Sequence, residues 1–138
     1  MLADVGGTNA RFALQRGRQQ PTDIVVLEAL DFPDLEAAVG AYLDRVRPES
    51  QPNDGVFAVA CPVTGDHIQL TNSPWSFSIQ GLRQRLGLAT LAIVNDFTAL
   101  ALSIPHLPPA ATEAVGGGKP VADSPIAIIG PGTGLGVS

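Results

Sequence analysis

Two adjacent glycines, Gly6 and Gly7, interrupt a segment that otherwise reads as extended chain. Leu2-Ala3-Asp4-Val5 ahead of them reads as the end of a strand, and Arg11-Phe12-Ala13-Leu14 behind them alternates as a second strand. The chain therefore folds back on itself as a hairpin around a glycine turn. The turn carries more than glycine, because Asp4 precedes it and Thr8 and Asn9 follow it. Adjacent glycines let backbone N–H groups approach an anion with no Cβ in the way. Thr8 and Asn9 add side-chain donors, and Asp4 can orient water on a Mg²⁺ ion that bridges nucleotide phosphates. Gly-Gly alone reads more plainly as an ordinary hairpin with Asp4 on the surface. The flanking Asp and Thr-Asn favour a phosphate-gripping turn. The first strand is short for its place, as though residues ahead of Met1 were missing.

The rest of the chain alternates strands and helices. Ile24 to Leu30 is rich in β-branched residues and reads as a third strand. Leu35, Val39, Tyr42, Leu43 and Val46 recur at helical spacing, with Pro33 and Asp34 at the entry and Pro48 past the end. Gly55 to Ala60 reads as a buried strand, and Asp66 to Leu70, which alternates weakly, is expected to pair beside it. Ser78 caps a helix whose apolar stripe is Ile79, Leu82 and Leu86, and Gly87 ends it. Leu91 to Val94 is another buried strand, stopping at Asn95-Asp96, and Phe97 to Ser103 reads as a helix. From Pro105 to Pro125 small residues, Pro and Gly dominate, as in a loop or linker. Ile126 to Ile129 is a last strand running into Gly130-Pro131-Gly132-Thr133-Gly134-Leu135-Gly136. Three antiparallel strands followed by strands alternating with helices imply a mixed sheet of class α/β. A glycine-rich turn normally feeds another element, so the chain reads as the N-terminal piece of a longer protein.

Composition narrows the function classes. Hydrophobic residues make up 45% and charged residues 15%, the balance of a folded domain rather than a disordered one. A net charge of −5 with scattered Lys and Arg gives no electrostatic footprint for nucleic acid or anionic lipid. The start lacks a basic region and a long apolar stretch, and no segment reaches the ~18 apolar residues of a membrane span, so a cytoplasmic protein is expected. The single cysteine, Cys61, ends an apolar run and reads as an inert core thiol. His67 and His106 have no partner at metal-ligand spacing.

Beyond the turn, three stretches carry candidate chemistry. Asn95-Asp96 stands at the carboxyl end of a buried strand, where open α/β sheets bind ligands. Asn95 offers a donor and an acceptor to a sugar hydroxyl, and Asp96 can take the proton of a hydroxyl attacking phosphorus. Helix capping is the competing reading, and the two are compatible. The segment from Gly130 to Gly136 can hold phosphates or let backbone approach a sugar. It is not a dinucleotide fingerprint, since the third glycine would fall on Leu135, and Gly118-Lys119 is not a P-loop, since Pro120 replaces Ser or Thr. Thr71, Asn72 and Trp75 can line a carbohydrate site, although Trp75 tucked into the core explains that loop equally well.

In this order, these motifs resemble the bacterial, E. coli-like, ATP-dependent glucokinase family. The resemblance spans essentially the whole chain. It rests on Asp4 to Arg11, Ala58 to Asp66, Thr71 to Ile79, Asn95 to Ala99 and Gly130 to Gly136. The first and fourth are shared loosely with other members of the hexokinase–actin–Hsp70 ATPase fold, and the second and third are more specific. The resemblance implies a ribonuclease H-like α/β domain over residues 1–110. Residues 111–138 would be the linker and first strand and turn of a second such domain. It implies ATP-phosphate contacts along Ala3, Asp4, Val5, Gly6, Gly7, Thr8 and Asn9 and at Gly132 and Thr133, with Asp4 on Mg²⁺ through water. It implies glucose held by Asn95, Asp96, Thr71, Asn72 and Gly134, with Asp96 as the base on the 6-hydroxyl, in a cytoplasmic and usually dimeric enzyme. Ala3 departs from the family's usual Gly. The family's Glu-x-x-His sugar segment and adenosine pocket have no counterpart in these 138 residues, so the chain alone is expected to be nearly inactive. Other readings are a different hexose kinase, a sugar-responsive regulator on the same fold, and an actin- or Hsp70-like ATPase.

Overall fold

The computed structural model describes residues 1–119, 121–131 and 135–137. The chain forms two compact units, Met1–Asp96 and Phe97–Ser138.

The first unit is built on a five-stranded mixed sheet. Its strands are β1 (Leu2–Val5), β2 (Asn9–Leu14), β3 (Thr22–Glu28), β4 (Asp54–Val59) and β7 (Thr90–Asn95), and their order is β3-β2-β1-β4-β7. β1, β2 and β3 run antiparallel, while β1, β4 and β7 are mutually parallel. Alternation along each strand sets the buried face. Ala3 and Val5 of β1 are buried beside Phe12 and Ala10 of β2 and Phe57 and Val59 of β4, each directly paired across the ladder. Asp4, Arg11 and Val56, one residue off that phase, are exposed.

Two helices add to the core, joined by Ile68, Leu70, Trp75 and Phe77 from the segment that follows β4. Helix α1 (Leu35–Val46) buries Leu35, Ala38, Val39 and Tyr42, one stripe at helical spacing. The Tyr42 ring stacks on Phe12 at 5.2 Å between centroids. Asp34 starts this helix by accepting the Ala37 N–H at 2.8 Å, and Arg47, at φ 44°, ends it by donating its N–H to the Leu43 carbonyl. Helix α2 (Ile79–Arg85) inserts Leu82, and the Ser78 hydroxyl accepts the Gly81 N–H, the cap expected from the sequence.

Three expectations are corrected here. The segment at Asp66–Leu70 does not pair with β4. It forms β5 (His67–Gln69), antiparallel to β6 (Ser76–Ser78) in a separate two-stranded sheet. A three-residue strand such as β6 is too short to show a period, which is why the sequence pattern hid it. The third strand ends at Glu28 rather than Leu30. The Ala29 N–H makes one last bond in the β2–β3 register, to the Thr8 carbonyl at 2.8 Å, and the chain then enters a 3₁₀ turn over Ala29–Asp31.

The last strand is not Ile126–Ile129. In the second unit, which begins within α3 (Asp96–Ser103), β8 spans Ile129–Pro131 and pairs with β9, Leu135–Val137. The hairpin's own pairing selects its residues, whereas an apolar run marks only the capacity to be a strand. The linker from Pro105 also holds two 3₁₀ turns, the first at Ile104–His106 and the second at Pro109–Ala111.

Trp75 settles into the core, 1% exposed, and donates its indole N–H to the Phe32 carbonyl at 3.1 Å. Trp75→Phe removes that donor while keeping an aromatic ring in place. The variant should lose about 1–3 kcal/mol of stability, seen as a lower urea midpoint by circular dichroism. An unchanged midpoint would show that the Phe32 carbonyl finds another partner.

Candidate functional site

Three parallel strands end level with one another. Val5 pairs with Val59, and Val59 pairs with Asn95, so one row crosses the carboxyl ends of β1, β4 and β7. The Gly6-Gly7 turn, the Ala60-Cys61 bend and the Asn95-Asp96 pair therefore leave the sheet at a single edge. β1 and β7 are separated only by β4, which puts the turn and Asp96 roughly 10 Å apart. That is the edge at which open α/β sheets take ligands.

The turn is closed by the Gly6 N–H, which donates to the Asn9 carbonyl at 2.9 Å. Neither Gly6 nor Gly7 adopts a positive φ, so left-handed backbone is not why glycine stands there. The reason at Gly7 is a neighbour: a Cβ would lie 2.7 Å from the Asn72 carbonyl oxygen and 2.8 Å from its Cβ. The structure thus brings Asn72, expected on the sugar side, against the turn expected on the phosphate side. Thr71, Thr8 and Asn9 are exposed beside them in the sequence of the two loops. Ala3 and Val5 point into the core, and their contribution to any phosphate contact is the rigid frame of β1.

Asp4 faces Arg11 across the ladder, with the carboxylate and guanidinium 3.2 Å apart and both side chains more than half exposed. Such a pair is worth about 0–1 kcal/mol and yields readily to a competing cation or anion. Among the described residues no group of three His, Cys, Asp or Glu is placed to hold a metal. A divalent cation at this edge would take its ligands from water and phosphate, the habit of Mg²⁺, with Asp4 reaching it through water.

At the other end of the row, Asn95 and Asp96 are half-buried. The Asn95 amide nitrogen donates to the Cys61 carbonyl at 3.2 Å and to the Asp96 carboxylate at 2.9 Å. The Cys61 carbonyl is a part of the site that residue-type reasoning missed, because any residue can supply a carbonyl. The one available signal was Pro62, which has no N–H to donate and so ends ladder pairing there. The Cys61 thiol is 3% exposed, and burial pushes its pKa up, with the Asp96 carboxylate adding to the effect.

The polar stretch after β4 has a structural task. Asp66 accepts the Ser78 hydroxyl at 2.5 Å and the Gln80 N–H at 2.9 Å, tying the start of α2 to the loop. These bonds hold the Asp66 carboxyl below its usual pKa. Gly132, Thr133 and Gly134 lie outside the described residues. In the second unit, Gly130 and Gly136 pair across the hairpin, and a Cβ on either would strike the Phe97 ring. Those two glycines of the motif make room for an aromatic side chain.

Two outcomes follow from this geometry. Gly7→Ala should force the Asn72 loop away from the turn and lower stability by about 1–3 kcal/mol, measurable by denaturant unfolding with shifted Asn72 and Ser73 amide resonances. Unmoved resonances would mean the contact is slack. The Cys61 thiol should react with a disulfide reagent at pH 8 only slowly in the native protein and fully after unfolding, and rapid native labelling would contradict its burial.

The glucokinase family model matches residues 1–138. The chain is 51% identical over 138 residues to a glucokinase of Paramagnetospirillum magneticum and 49% identical over 140 residues to one of Cupriavidus pinatubonensis. All of this chain is covered in both alignments, against 43% and 41% of those proteins, so it spans about two fifths of their length. A crystal structure of glucokinase from an Antarctic psychrotroph superposes with a TM-score of 0.85 at 34% identity, over 99% of this chain and 44% of that one. With that match along its whole length, on the mixed α/β sheet its sequence implied, the chain belongs to the glucokinase family.

Proposed function

We propose that this chain is the amino-terminal part of an enzyme that transfers the γ-phosphoryl group of ATP to the 6-hydroxyl of glucose, giving glucose 6-phosphate and ADP. The observation that carries the reading is the level row Val5–Val59–Asn95. It sets a glycine turn suited to phosphate and an Asn-Asp pair suited to a hydroxyl on one sheet edge. Residues 1–110 would form the smaller domain and 111–138 the entry into a second one that closes over the substrates. The complete protein would be a cytoplasmic homodimer. Among the described residues no helix is long and apolar enough to cross a membrane.

Phosphoryl transfer is mostly positioning and charge neutralisation. Gly6, Gly7, Thr8 and Asn9 would receive the phosphates on the frame of Ala3 to Val5, joined by Gly132 and Thr133. Asp4 would hold water on a Mg²⁺ ion, whose chemistry is to neutralise charge on the phosphate oxygens. Asn95, Thr71, Asn72 and Gly134 would hold glucose. Asp96 would accept the proton of the 6-hydroxyl as it attacks the γ-phosphorus.

Asp96→Asn in the full-length enzyme should lower kcat about 10²- to 10⁴-fold while glucose affinity, measured by calorimetry, changes far less. Turnover near the wild-type rate would remove Asp96 as the base. Glucose binding without nucleotide in the same titration separates the proposal from an ATPase that takes no sugar.

A further inference from the structure

We infer that Asn95 is a positioning residue for Asp96, acting through its amide nitrogen rather than only as a sugar contact. The inference rests on the proposed role of Asp96 as the base.

A primary amide carries two N–H donors. The Asn95 nitrogen directs its donors at two fixed oxygens, the Cys61 carbonyl at 3.2 Å and Asp96 Oδ1 at 2.9 Å. The Cys61 carbonyl is itself held. Its own N–H donates to the Val59 carbonyl at 2.9 Å, the preceding Ala60 N–H donates to the Val5 carbonyl at 3.1 Å, and its side chain is buried. A chain of hydrogen bonds thus runs from the end of β1, through the bend after β4, to the carboxylate after β7. The strand carrying the phosphate turn and the proposed base are referenced to the same backbone.

This arrangement has a chemical consequence. An aspartate in the first turn of a helix can rotate about two side-chain bonds, and an in-line attack needs its oxygen within hydrogen-bond reach of the hydroxyl. A donor on Oδ1 that is itself tied to a backbone carbonyl restricts the rotation of the carboxylate. The Asn95 amide nitrogen makes both of these contacts to protein oxygens, so a substitution that removes its N–H groups removes the positioning role.

Asn95→Asp keeps the shape and an acceptor oxygen but removes both donors, and Asn95→Ala removes both roles. In the full-length enzyme, Asn95→Asp and Asn95→Ala should each lower kcat about 10- to 100-fold, the cost of misplacing a reacting group by about an ångström. In an Asp96→Asn background, where no carboxylate remains to be positioned, Asn95→Ala should lower kcat no further. A rise in glucose KM with kcat unchanged in both single variants would overturn the inference, as would an equal loss of kcat with and without Asp96. If Asp96→Asn alone turns over normally, the role of Asp96 fails first. If Asp96→Asn is impaired and Asn95→Asp is not, only the positioning role fails.

Discussion

The parallel register of β1, β4 and β7 is the constraint on which the site depends. Hydrogen bonds between these strands pair Val5 with Val59 and Val59 with Asn95, and a slip of one residue would turn every buried side chain to the opposite face. Phe57 and Val59, fully buried, make such a slip costly, since each apolar side chain of that size contributes about 1.5–3 kcal/mol when removed from water. The same registry that buries the core therefore sets the glycine turn and the Asn-Asp pair at one height. Site geometry and core packing are two consequences of one ladder.

The loops that leave this edge are braced against each other. Gly7 lies so close to Asn72 that any side chain there would displace the β5–β6 connection. Trp75 anchors that connection from below through the Phe32 carbonyl, and Asp66 fastens its other flank to the start of α2. The polar residues between Pro62 and Ser78 thus divide their labour. Some hold the loops in shape, and Thr71 and Asn72 remain at the surface beside the turn.

Much of this was legible in the sequence, for reasons that are local. The helix at Leu35–Val46 announces itself by its spacing and by Asp34. The cap at Ser78 and the stop at Gly87 follow from side-chain and backbone chemistry that needs no distant partner. Asn95 and Asp96 were visible as polar residues closing an apolar run. What stayed hidden was pairing. β6 is too short to have a period, β5 chose it over β4, and the final hairpin took Ile129–Pro131 instead of the more apolar residues ahead of it. Trp75 admitted two readings, and only packing chose between a sugar-lining face and the core.

By itself, then, the sequence determined the kinds of element, the residues at their ends and the family to which the chain belongs, because propensity, capping and alternation act over a few neighbouring residues. Tertiary structure decided the rest: that Gly7 must be glycine on account of Asn72, that Cys61 matters through its carbonyl while its thiol is buried, and that Asn95 braces Asp96. The Gly7–Asn72 and Cys61–Asn95 contacts join residues far apart in the chain, and only the tertiary fold brings them within hydrogen-bond or van der Waals distance.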